Sequence, residues 1–88
     1  MKVNFKKLEV EVKFDEFVKV DVAKAVANAI HTSTSDIGLD DVARSIYYSE
    51  GEIDFPEEFL QETLAIIKDP RCSLVASVKK AVIKALTL

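Results

Sequence analysis

At 88 residues the chain has room for one domain whose core buries about 60 to 65% of the unfolded surface, and is too short for a second core or a deep enclosed substrate pocket. An apolar content of 49%, two glycines, two prolines and no low-complexity run exclude extensive disorder, and the longest aliphatic run, Leu64 to Ile67, excludes a membrane-spanning helix. The formal net charge of −3 is unevenly spread, because residues 1 to 35 carry +1, residues 36 to 69 carry −8 and residues 70 to 88 carry +4.

The first residues, Met1 to Lys7, have no apolar signal segment behind them, so a soluble, cytoplasmic protein is expected. Cys72 is the sole cysteine, which rules out an intrachain disulfide and suits a reducing compartment. Its expected state is a buried or half-buried thiol.

Leu8, Val10, Val12 and Phe14 alternate with Lys7, Glu9, Glu11 and Lys13, which predicts a strand with the apolar set on one buried face. Phe17 to Val20 is a candidate hairpin partner across Asp15-Glu16.

Asp21 is a suitable N-cap for a first helix running from about Val22 to His31, with Val22, Val26, Ala29 and Ile30 on its inner face. The polar run Thr32 to Asp36 opens a connector of about seven residues, since such side chains compete for backbone hydrogen bonds. A second helix follows from about Leu39 to Tyr48, with Leu39, Val42, Ala43, Ile46 and Tyr47 inward. Ser49-Glu50-Gly51 turns the chain, and Glu52 to Phe55 is a candidate short third strand.

Pro56 suits the first position of a third helix with Glu57 and Glu58 in an acidic first turn, and Phe59, Leu60, Thr63, Leu64 and Ile67 on its buried stripe. Asp69-Pro70 ends it. Ser73 is the candidate N-cap of a fourth helix whose ten apolar residues between Leu74 and Leu88 exceed one stripe. Val75 and Ile83 fall on its flank, which points to wrapping elements or a second subunit. The order of elements is that of an α+β fold, a strand or hairpin and a possible third strand packed on about four helices, all within a single domain spanning 1–88.

His31 is the only histidine, so a His-paired metal site or a nucleophile, His and acid triad has no basis. It belongs at a helix end, near the negative dipole. Glu50, Glu52 and Asp54 mimic the start of a calcium loop, but the pattern needs Gly where Phe55 stands and Glu where Gln61 stands. No GxGxxG or GxxxxGK[ST] run is present. The expectation is a non-enzymatic protein without metal or cofactor.

Residues 21 to 48 invite comparison with a helix-turn-helix. A connector of about seven residues is longer than the usual three to four, and Asp40 and Asp41 at the start of the second helix repel phosphates. A pI of about 5.1 also argues against nucleic acid as the main partner. A nucleic-acid-binding regulator and an acidic DNA-mimic inhibitor remain the alternatives to a protein-interaction module.

The run Asp36-Ile37-Gly38-Leu39-Asp40-Asp41-Val42-Ala43-Arg44, with Gly51 and Pro56 after it, resembles short uncharacterised proteins encoded in phages and prophages. That resemblance implies a small protein acting on host or phage machinery through a protein partner. The residue types favoured at binding hot spots single out Arg44, Tyr47 and Tyr48, while the flank of the last helix, with Ile83, and the edge of the N-terminal strand are the candidate homodimer contacts.

Overall fold

Period-2 patterning at the start of the chain closes a hairpin that leans on the last helix. The computed structural model describes residues 1–87. It contains β1 (Lys2–Val3), β2 (Leu8–Lys13), β3 (Glu16–Val20), α1 (Ala23–Ser33), α2 (Ile37–Tyr47), β4 (Ile53–Asp54), a 3-10 turn (Glu57–Phe59) running into α3 (Leu60–Lys68), and α4 (Ala76–Thr87). The fold is α+β, with two separate two-stranded antiparallel sheets, β1-β4 and β2-β3, packed with four helices.

In the hairpin Leu8 pairs with Val20, Val10 with Val18, Glu11 with Phe17 and Lys13 with Glu16. The two loop residues are therefore Phe14 and Asp15, one step earlier than expected. Asp15 takes the left-handed conformation, φ 63°, which Asp tolerates better than most residues, and its N–H donates to Glu11 Oε2 at 2.9 Å.

A register shift between Glu11 and Lys13 leaves Val12 as an extra residue on β2. Such a bulge re-aims side chains, and the expected shared face of Leu8, Val10, Val12 and Phe14 ends there. Leu8 and Val10 are buried, whereas Val12 is exposed and Phe14 at the loop is 92% exposed.

The helices begin where side chains satisfy free amides. Asp21 Oδ1 accepts from Ala23 N–H at 3.1 Å, so α1 starts one residue later than expected and runs on to Ser33. Asp36 caps α2 by accepting from the N–H groups of Gly38 at 2.8 Å and Leu39 at 3.4 Å. The connector is consequently only Thr34, Ser35 and Asp36, not seven residues. Pro56 precedes the 3-10 turn instead of opening α3, and α4 begins at Ala76, which leaves Leu74 buried and Val75 exposed ahead of it. Leu88, counted above in the apolar face of the last helix, lies outside the described residues.

The core joins Phe5, Ile30, Leu39, Ile46, Phe55 and Ile67, all at or below 1% exposure. Across it α1 packs on α2 and α3, α3 on α4, and α4 on β2. The candidate third strand is β4, which pairs with β1 and not with the hairpin, in the register Lys2 to Asp54 and Val3 to Ile53. The amino group of Met1 donates to Asp54 Oδ1 and to the Phe55 carbonyl, both at 3.1 Å, and Phe55 N–H donates to the Met1 carbonyl. No helix among the described residues is long and apolar enough to cross a membrane.

Candidate interaction groove between the first two helices

The apolar spacing of α1 and α2 turns each helix inward, and the alanines among those residues let the two approach closely. Ala27 and Ala43, each 2% exposed, form the floor of an open groove of about 240 Å³ on the outer side of this pair. That is below the roughly 300–1,000 Å³ of small-molecule sites, and suits an anchor side chain of a macromolecular partner.

One end is closed by His31 of the last turn of α1, whose Nδ1 meets Asp40 Oδ1 of α2. That carboxylate lies one turn before Arg44 on the same helix face. The other end carries Tyr47 and Tyr48, their rings edge to face with centroids 5.0 Å apart. Tyr47 is half-buried against the core, while Tyr48 is 71% exposed. Lys24 Nζ sits 5.3 Å from the centre of the Tyr47 ring, within cation–π range.

Among the described residues Met1 forms an ion pair with Asp54 and Arg71 with Asp69, while His31 shares a hydrogen bond with Asp40. Arg44 therefore lines the groove without a salt-bridge partner, and Lys24, likewise unpaired, stands beside it over the Tyr47 ring. The groove thus offers a small apolar floor, two aromatic faces, the Arg44 cation and, at the His31 end, the Asp40 carboxylate.

Of the four residues singled out by residue type, Arg44, Tyr47 and Tyr48 line this one groove. Ile83 does not join them; it is half-buried on α4 and packs against the core. The α1 wall, with Lys24 beside Tyr47 and Asn28 on the lining, was not anticipated. The signal for it was the i, i+4, i+7 spacing of Lys24, Asn28 and His31 along one edge of the buried stripe.

A wider hollow of about 530 Å³ lies between the end of α1 and α3. Its polar groups are engaged internally: Glu62 accepts from Thr34 Oγ1 at 2.8 Å, and Asp69 is held by Arg71. Cys72 on its rim is half-buried. Among the described residues no three His, Cys, Asp or Glu side chains gather as a metal site.

The three-residue connector brings α1 and α2 within the spacing of a helix-turn-helix, which removes the length objection raised above. The charge objection stands, since Asp40 and exposed Asp41 occupy the first half of α2. Compared with family models, curated proteins and solved structures, the chain finds no match.

Proposed function

We propose that this chain is a small, non-enzymatic interaction module of the cytoplasm, of the kind encoded by phages, that captures a protein partner in the α1–α2 groove. The observation that carries this reading is the convergence of exposed Tyr48 and Arg44 with Tyr47 and Lys24 around an apolar floor. Tyrosine and arginine supply most binding hot spots because each joins apolar area to a polar tip at low entropic cost. The unpaired cations select a partner segment that carries an apolar anchor flanked by acidic residues.

The test is site-specific photo-crosslinking in the native cell from a benzoyl-phenylalanine placed at position 48, with the same probe at position 9 on the outer hairpin face as the control. The expected result is a discrete protein adduct that forms from position 48 alone, survives nuclease and disappears in Arg44→Glu. With that partner purified, Tyr48→Ala weakens binding by on the order of tenfold or more while leaving the melting temperature unchanged. A nuclease-sensitive adduct transfers the groove to the nucleic-acid reading, and equal adducts from both positions remove the groove from consideration.

A further inference from the structure

Four of the seven exposed large apolar residues, Val12, Phe14, Phe17 and Val18, lie on the β2-β3 hairpin, far in excess of its share of the chain. The hairpin is a two-stranded sheet, so β3 presents one whole edge of backbone donors and acceptors to no other strand. Two-stranded ribbons are marginal alone and gain from further strands. β2 also has a free edge, but the extra residue Val12 kinks it, and bulges oppose continued pairing. The run Glu16–Val20 pairs without interruption and is the smooth edge.

We infer that β3 is a self-association edge at which a second copy of this chain adds its own β3 antiparallel about a two-fold axis through Val18. This goes beyond the groove reading and is independent of it. A two-fold axis between antiparallel strands stands perpendicular to the sheet, so the residue at its centre meets itself. Centring on Lys19 would set two ammonium groups against each other. Centring on Phe17 would need pairing to extend to Asp15, whose left-handed backbone has already left the strand.

Centring on Val18 keeps every pair from Glu16 to Val20 within the strand and sets no like charges directly opposite each other. The two Val18 side chains, each 43% exposed, cover each other on the inner face. On the outer face each Phe17, 54% exposed, lies opposite the other copy's Lys19, an ammonium over a ring.

A lipid surface is a poorer occupant of this end of the molecule. Glu11, Asp15 and Glu16 balance Lys13, Lys19 and the nearby Lys80, which leaves no net attraction for anionic headgroups. The resulting four-stranded sheet ends at the two kinked β2 edges, so association closes at the dimer. A five-residue strand pair buries less than the roughly 1,200–2,000 Å² of stable complexes, which makes this a weak, concentration-dependent association.

Sedimentation equilibrium of the full chain from micromolar to about 1 mM is the first measurement. The dimer fraction rises with concentration, Val18→Lys weakens it at least tenfold, and Tyr48→Ala leaves it unchanged. The register is read by Val18→Cys in a Cys72→Ser background under glutathione disulfide. Opposed strand residues stand about 4.5–5.5 Å apart at Cα, inside disulfide range, so this variant forms a covalent dimer. Phe17→Cys or Lys19→Cys alone does so far more slowly, and the mixture of those two cross-links. Three results overturn the inference: a monomer throughout, a dimer lost in Ile83→Lys but not in Val18→Lys, or Val18→Cys cross-linking no faster than Phe17→Cys.

Discussion

The ring of Phe59 closes over Gly38, so that a Cβ added at Gly38 would lie 2.9 Å from Phe59 Cζ and 3.1 Å from Asp36 Oδ1. Gly38 has a helical backbone with no positive φ, so it is required by this contact and not by its conformation. In the wild type Gly38→Ala costs about 1–2 kcal/mol by overpacking. With Phe59→Ala in place the same change becomes neutral or favourable by up to about 0.5–1 kcal/mol, because alanine is the better helix former. Urea denaturation of the four proteins of this cycle checks the change of sign.

The hydroxyl of Thr63 is wholly buried in α3 and finds no hydrogen-bond partner. Burying an unpaired hydroxyl is unfavourable, so Thr63→Val stabilises the fold by about 1 kcal/mol. Thr63→Ser keeps the hydroxyl, loses a methyl and destabilises by a similar amount. Equal effects from the two substitutions would mean that the hydroxyl is satisfied.

Leu8 and Phe14 belong to one alternating series and behave oppositely. Leu8→Ala costs about 2–5 kcal/mol because its side chain is packed under α4, whereas Phe14→Ala stays within about 0.5 kcal/mol. Thermal melts of both variants measure this directly.

Asp69 shapes the turn between α3 and α4. It accepts from the Arg71 guanidinium at 2.8 and 3.1 Å and from the Arg71 N–H at 2.8 Å, which holds its pKa at about 2 against an ordinary 3.8. A carboxylate with a lowered native pKa stabilises the fold above the unfolded value, and that contribution fades as pH falls from about 4 to about 2. Asp69→Asn is therefore less stable than wild type at pH 5, and the two converge near pH 2. Denaturation midpoints at both pH values provide the check. A gap that persists unchanged at low pH would show that Arg71 does not act through the charge.

The helices were legible because their apolar residues recur at helical spacing, but their starts were not: Val22 and not Asp21 stands at the N-cap of α1, with Asp21 accepting from Ala23 N–H, and Asp36, read as connector, caps α2. The hairpin was half legible. Alternation reports which residues face the same way only while the register holds, and the extra residue at Val12 is a property of pairing with β3 that no single strand displays. β4 was legible as a short strand from Glu52 to Phe55, but its partner β1 spans two residues, too few for any period to register. Phe5, flanked by Asn4 and Lys6 and outside every apolar period, is 1% exposed in the core. Arg44, Tyr47 and Tyr48 stood out by residue type, while the α1 side of their groove depended on how closely Ala27 and Ala43 bring the helices together.

The seam between β1 and β4 joins segments about fifty residues apart, and closing a loop of that length costs about 3.5 kcal/mol of chain entropy, by (3/2)RT ln n. Two residue pairs cannot repay that alone, so the seam is held by what it buries, with Val3, Phe5 and Phe55 all inside the core shared with the helices. Its release strips the Met1 carbonyl from the Phe55 N–H and uncovers Phe55 while the helices still stand.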